Sequence, residues 1–189
     1  MFPVYFNLGL EHILDLNGYD HILFLVALCA IYTYREWRDV LVLVTAFTIG
    51  HSITLALSAL NLVVFSSEVI EFLIPVTIFL TALRHIITPD QTSSRRSSYA
   101  LALVFGWIHG LGFSNYFKAL LGREESVVGP LFAFNIGVEA GQLVIVAVIM
   151  VLSSIVIDGL RFPRRDWSLV ISGAAAGISL ILAVEAKFW

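Results

Sequence analysis

Six ionisable side chains of two kinds, imidazole and carboxylate, stand in or beside the hydrophobic segments of this chain. Such side chains are costly next to lipid and usually face the interior of a helix bundle, where they mark function. The six are His12, Asp20, His21, His51, His109 and Glu139. Several imidazoles with one or two carboxylates suit Zn²⁺, Ni²⁺, Fe²⁺ or Cu²⁺, whereas Ca²⁺ and Mg²⁺ prefer oxygen ligands alone. The pattern therefore predicts a divalent transition-metal site for one or two ions.

The positions of these residues along their segments indicate that they meet. His51 lies twelve residues into the second segment, His109 eleven into the fourth and Glu139 ten into the fifth. At 1.5 Å per residue, Glu139 is about 15 Å deep. Successive segments run in opposite directions, and His21 opens the first segment from the outer side. We therefore expect all four residues in the outer half of one bundle, with His12 closing the group from outside.

Neighbouring polar residues favour the same site. Two threonines share a helical face with His51, and two amides share a face with Glu139. Side chains of this kind orient metal ligands through hydrogen bonds. The candidates for this orienting role are Thr48, Thr54, Glu71, Asn135 and Gln142. His85 is adjacent to Arg84 at the inner end of the third segment, so we expect it at the interface rather than among the ligands.

The composition is that of a membrane protein. Of 189 residues, 59% are hydrophobic and 13% are charged, against about 25% charge in a soluble domain. The pattern predicts an all-α, polytopic membrane bundle that forms a single domain over residues 1–189. A short re-entrant or interfacial helix is expected within residues 1–19. The six predicted transmembrane segments are residues 20–34, 39–60, 68–87, 98–120, 129–157 and 167–187.

The basic residues predict the orientation of these segments. Eight of the eleven Lys and Arg residues lie on the side of the odd-numbered loops, and three lie on the other side. Cytoplasmic loops carry the excess of Lys and Arg. Both termini are therefore expected outside the cytoplasm, in a bacterial inner membrane.

Several function classes find no support in the sequence. The net charge is −3 and no basic run occurs, so no nucleic-acid partner is expected. Cys29 is the only cysteine and cannot form an internal disulfide bond. No phosphate-binding loop of the nucleotide-hydrolase type is present, so hydrolysis of ATP by this chain is not expected. The small residues of GAAAG, at 173–177, are typical of close helix packing, within the bundle or between copies in a homo-oligomer.

Four motifs of this sequence resemble those of the HupE/UreJ family, the hydrogenase and urease accessory membrane proteins. The motifs are EHI…GYDHILFL, FTIGHSITL, FGWIHGLGF and AFNIGVEAGQL, between residue 9 and about residue 145. The resemblance implies a nickel permease linked to metalloenzyme maturation. It also implies that the polar residues of the motifs fall on the six ionisable residues named above.

The residues favour one function and leave others open. The first is a permease that takes up a divalent metal, most plausibly nickel, across the lipid bilayer. The second is an intramembrane metalloenzyme, a hydrolase or oxidoreductase with a fixed mono- or dinuclear centre. A metal sensor or accessory subunit, and a metal-free proton relay through Glu139 and His109, also fit the pattern.

Overall fold

The protein is built from helices. The computed structural model describes residues 1–16, 18–88, 95–121 and 126–189, without the side chain of Arg95, and these residues contain no strand. A short 3₁₀ turn precedes the third helix and a π-helical turn follows the sixth. The seven helices of the described residues are α1 (Phe2–Leu14), α2 (Asp20–Cys29), α3 (Trp37–Ala59), α4 (Ser67–Ile87), α5 (Arg95–Leu121), α6 (Val128–Ser154) and α7 (Arg164–Glu185).

Four helical stretches of the described residues are long and apolar enough to cross a membrane. They are Tyr34–Ala59, Ser67–Ile87, Val128–Gly159 and Arg164–Glu185. This confirms the prediction of an all-helical membrane-type protein. The other two predicted segments correspond to α2 and α5, which are absent from this set.

The first predicted segment, residues 20–34, is helical only as far as Cys29. Ten residues of helix rise about 15 Å, half of a hydrocarbon core of about 30 Å. The chain then turns because the Glu36 carboxylate accepts hydrogen bonds from the backbone and hydroxyl of Thr33, at 2.7 and 2.6 Å, which begins the 3₁₀ turn. α5 has 27 residues and is long enough to cross a membrane. It is outside the set of four because His109, Asn115 and three glycines lower its mean hydropathy.

Glycines bring α3 and α5 into direct backbone contact. A Cβ atom at Gly50 would overlap the carbonyl oxygen of Leu103, and one at Gly110 would overlap that of His51. Both positions therefore require glycine for the observed helix separation. Since Gly50 precedes His51 and Gly110 follows His109, this close approach places the two imidazoles at the same level.

A second pair of glycines docks α1 on α6. A Cβ atom at Gly9 would overlap the carbonyl oxygen of Phe134, and one at Gly137 would overlap that of Phe6. Ile13, one turn beyond Gly9, is fully buried in the same contact. The predicted N-terminal helix is therefore present, and its packing on α6 positions His12.

Side chains from α4 and α7 hold the end of α2. The Nδ1 atom of His85 lies 3.0 Å from the carbonyl oxygen of Ala27. Arg164 donates to the carbonyl oxygen of Ile31 at 2.6 Å and to Glu36 at 2.7 Å. These bonds add partners to carbonyl groups at the end of the short α2, where Ala27 also accepts a bond of 3.4 Å from the Ala30 N–H, and in the loop that follows. They give His85 a structural role.

Candidate metal centre

Four histidines from four helices form one cluster in the interior. α1 supplies His12, α2 supplies His21, α3 supplies His51 and α5 supplies His109. The centroid of the His21 ring lies 4.6, 6.2 and 5.2 Å from those of His12, His51 and His109, respectively. The last three of the four histidines are at most 4% exposed. The structure thus brings together the three imidazoles for which the sequence predicted a common depth, His21, His51 and His109, and places His12 beside them.

Five ring nitrogens of this cluster lack hydrogen-bond partners among the described residues. Among the described residues, none is bonded to Nε2 of His12, Nε2 of His21, either nitrogen of His51 or Nδ1 of His109. Buried polar groups are almost always paired, and an unpaired one costs about 1–3 kcal/mol. Five such atoms at one place are unusual for a purely structural core. An imidazole nitrogen with a lone pair is a common ligand of transition-metal ions.

The donor atoms fall into two overlapping groups. His12, His21 and His51 form one group, and Asp20, His21 and His109 form the other. Within each group the candidate ligand atoms lie within 4.8 Å of one another. When each metal–nitrogen bond is about 2.1 Å, two ligands of one ion are at most about 4.2 Å apart, which is the separation of ligands on opposite sides of the ion. Each group therefore fits one ion after small side-chain adjustments.

Hydrogen bonds orient two of the imidazoles. Nδ1 of His21 lies 3.2 Å from Oδ1 of Asp20. Nε2 of His109 lies 3.2 Å from the hydroxyl of Thr77, which itself donates to the carbonyl oxygen of Ile74 at 2.7 Å. Because that hydroxyl has a single proton, the His109 Nε2–H is the donor in their bond, and the lone pair of His109 is on Nδ1. In both histidines the nitrogen without a partner is then the one available to a metal.

Thr77 is absent from the sequence prediction, which was built from imidazole and carboxylate side chains and the polar residues beside them. It lies nine residues into the third predicted segment, close to the count of ten that selected Glu139 in the fifth. The same depth argument, extended to hydroxyl groups, would have found it.

Glu139 stands apart from the two ligand groups. Its carboxylate accepts a hydrogen bond of 2.7 Å from the hydroxyl of Thr45, and the residue is half-buried. Three residues after Thr45 on α3 and three after Glu139 on α6, the hydroxyl of Thr48 donates to Oε1 of Gln142 at 2.7 Å. The Thr48 and Gln142 side chains therefore bind each other and connect α3 to α6.

The other three candidates for orienting the ligands have different surroundings. The hydroxyl of Thr54 lies 3.3 and 3.2 Å from backbone carbonyl oxygens of its own helix. The amide of Asn135 donates to a backbone carbonyl oxygen at 2.8 Å. It lies beside His51 but falls short of hydrogen-bond geometry with it, and its Oδ1 is unpaired. Glu71 is exposed.

Aromatic rings enclose the imidazoles on the remaining sides. Phe113 lies 3.9 Å from His12 between ring centroids, and Phe47 lies 5.1 Å from His109. Phe24 lies 5.3 Å from His109. These rings give the three buried imidazoles an apolar surrounding, whose low dielectric strengthens the interaction between a cation and the Asp20 carboxylate.

Two cavities flank the cluster. An open one of about 810 Å³ is lined by Glu11, His12 and Asp15 among other residues of α1 and α5. A smaller one of about 170 Å³ lies between α2, α4 and α5, and its polar residues include Arg84 and His85. Phe24 lines the smaller cavity and contacts His109 as well. The cluster thus lies between two cavities and is separated from the smaller one by an aromatic ring.

Fold and site together define a helical membrane-type protein with a buried imidazole site that suits a divalent transition metal. A family model described as HupE / UreJ protein matches residues 1–188, so the chain belongs to the HupE/UreJ family. The resemblance seen in the four sequence motifs is thereby confirmed over essentially the whole chain. No curated protein and no solved structure matches this chain significantly.

Proposed function

We propose that this protein is a permease for a divalent transition metal, with nickel as its cargo. The observation that carries the proposal is the convergence of four imidazoles, three of them buried, with ring nitrogens that have no hydrogen-bond partner among the described residues. The proposed ligands are His12, Asp20, His21, His51 and His109. Membership of the HupE/UreJ family supports nickel and a supply of the ion to metalloenzyme maturation.

Glu139 is proposed as a later ligand on the route. Its partner Thr45 precedes His51 by six residues on α3, a distance of about 9 Å along the helix. This displacement is toward the level of Leu43, which lines the smaller cavity. The carboxylate therefore lies on the side of the imidazole cluster that faces this cavity.

The route begins at the open cavity and ends at the smaller one. The acids Glu11 and Asp15 give the open cavity a negative wall beside His12, which favours entry of a cation. Phe24 separates the cluster from the smaller cavity and must move for release. Two positive charges that cross an inside-negative membrane gain about 4.6 kcal/mol per 100 mV, so the membrane potential suffices as driving force.

We propose that α2 and α5 complete a bundle of six membrane helices in the bacterial inner membrane, with both termini outside the cytoplasm. The close packing of α5 on α3 supports a position inside the bilayer, because α3 belongs to a candidate span. Gly173 and Gly177 of α7 have no neighbouring atom within 4 Å of an added Cβ and face away from the bundle. A homo-oligomer through this face stays a prediction.

Transport is tested with purified protein in liposomes that contain a nickel-sensitive dye. An inside-negative potassium diffusion potential is expected to drive Ni²⁺ entry through the wild type. His21→Gln should reduce the initial rate to that of empty liposomes. Gly173→Ala should leave the rate unchanged, because an added Cβ atom at this position meets no neighbouring atom. Equal rates for wild type and His21→Gln would refute the proposal.

A second candidate is an intramembrane metalloenzyme, and the full burial of His51 and His109 favours it. A fixed cofactor benefits from enclosure, whereas a cargo must leave. Elemental analysis after prolonged dialysis against a chelator separates the two. Stoichiometric metal that survives dialysis indicates the enzyme, and reversible binding indicates the permease.

A further inference from the structure

His21 belongs to both groups of candidate ligands, and this has a consequence for how many ions the site holds. We call His12, His21 and His51 the α1 station, and Asp20, His21 and His109 the α5 station. Each name is taken from a helix that contributes a ligand to that group and not to the other. The described residues do not combine into a single group of five, because the ligand atoms of the two stations are not all within 4.8 Å of one another.

A neutral imidazole has one ring nitrogen with a proton and one with a lone pair. His21 can therefore bind one cation at a time, whichever nitrogen it uses. Each station without His21 is left with two ligands, from α1 and α3 or from α2 and α5. Two ligands bind a divalent ion weakly, so occupation of one station empties the other.

The hydrogen bond between Asp20 and His21 fits this exchange. When His21 donates Nδ1–H to Oδ1 of Asp20, its lone pair is on Nε2, which has no partner. Asp20 then orients His21 for the α1 station, as a carboxylate commonly does behind a metal-bound histidine. In the α5 station the same carboxylate is itself a ligand. Asp20 thus has a role in both stations, as the hydrogen-bond acceptor of His21 in one and as a ligand in the other.

We propose that the site holds one divalent ion, which alternates between the α1 station and the α5 station with His21 as the shared ligand. The inference rests on the proposed function, since it concerns the same cargo. Three protein ligands in each station leave at least one position open in a tetrahedral shell. An open position allows an incoming ligand to bind before an outgoing ligand leaves, as stepwise transfer requires.

Cobalt binding to the full chain in detergent tests this proposal without a transport assay. Equilibrium dialysis gives the number of Co²⁺ ions per chain, and the visible absorption of Co²⁺ reports its ligands. The variants are His12→Gln, which removes a ligand of the α1 station, His109→Gln, which removes one of the α5 station, and His21→Gln, which removes one of both. His85→Gln is the control, because this histidine contacts a backbone carbonyl oxygen.

The wild type and the control are expected to bind one Co²⁺ per chain. His12→Gln and His109→Gln should each still bind one, with different spectra, because the ligands are two imidazoles and a carboxylate in the first and three imidazoles in the second. His21→Gln should weaken binding more than 100-fold, beyond the roughly 10–100-fold expected for a residue that only orients a ligand. His12→Asn and His109→Asn provide a second pair if either glutamine variant fails to fold.

Two results would overturn the two-station proposal and leave metal binding intact. One is two magnetically coupled Co²⁺ ions per wild-type chain, which indicates a bridged dinuclear centre. The other is loss of all binding in both His12→Gln and His109→Gln, which indicates a single site that needs all the ligands. Absence of Co²⁺ binding by the wild type would instead refute the proposed function itself.

Discussion

Replacement of His51 by leucine is expected to stabilise the metal-free protein while it impairs transport. His51 is fully buried, and both of its ring nitrogens lack a partner among the described residues. An unpaired buried polar group costs about 1–3 kcal/mol. Leucine removes both groups, and repacking of a side chain of similar volume costs less than about 1.5 kcal/mol. The net expectation is a gain of at least about 0.5 kcal/mol in the free energy of unfolding.

The assay is equilibrium unfolding in mixed micelles with a chelator present, together with the liposome uptake assay. His85→Leu is the matched control, since Nδ1 of His85 lies 3.0 Å from the carbonyl oxygen of Ala27, which also accepts a bond of 3.4 Å from the Ala30 N–H. The control should lose about 0.5–1.5 kcal/mol through loss of the side-chain bond. His51→Leu should lose at least nine-tenths of its uptake. A destabilisation of His51→Leu by more than about 1 kcal/mol would refute the reasoning, because it would show that His51 has a structural partner such as Asn135.

Three further predictions concern the residues around the cluster. Gly137→Leu should push α1 off α6 and weaken Ni²⁺ binding at least tenfold in equilibrium dialysis. Gly173→Leu, on an open face, should leave Ni²⁺ binding unchanged, and equal effects of the two variants would contradict the docking of α1. Thr77→Val should lower Ni²⁺ affinity about 10–100-fold because His109 loses its orienting partner. Thr81→Val, which removes only a bond to a backbone carbonyl oxygen, is its control, and an unchanged affinity in Thr77→Val would argue against the assigned tautomer. Phe24→Ala should join the cluster to the smaller cavity and increase the uptake rate or the proton leak in liposomes; an unchanged rate would mean that another step limits release.

Hydropathy predicted the helices well because lipid imposes the same requirement on every segment. The six predicted segments overlap α2 to α7, and the N-terminal helix was expected close to its observed position. The exception is the end of the first segment. Hydropathy over 20–34 does not show that Thr33 and Glu36 form a hydrogen-bonded turn, so the early end of α2 at Cys29 was not predicted.

The candidate site was predictable in its imidazoles and less so in its remaining members. Counting residues along a segment gives depth, and depth placed His21, His51 and His109 together. It does not give the direction in which a side chain points around the helix. Glu139 has a matching depth, but its carboxylate faces Thr45 on α3, and its role as a ligand stays a prediction.

Two features of the site depend on helix contacts that a single sequence does not reveal. The sharing of His21 between two groups of ligands follows from the way the helices place His12, His51 and His109 around it. The orienting bond that His109 donates to Thr77 joins residues 32 positions apart on different helices. The carbonyl groups that Gly50 and Gly137 contact, on Leu103 and Phe6, likewise became identifiable only in the folded chain.

Removal and return of the metal shows whether the histidine cluster binds nickel reversibly. Detergent-purified protein is dialysed against a chelator, checked by elemental analysis, and then titrated with Ni²⁺ in equilibrium dialysis beside His21→Gln. The account predicts little metal after the chelator, one reversibly bound Ni²⁺ per wild-type chain, and loss of this binding in the variant. Absence of Ni²⁺ binding by the wild type, or equal binding by the variant, would contradict it.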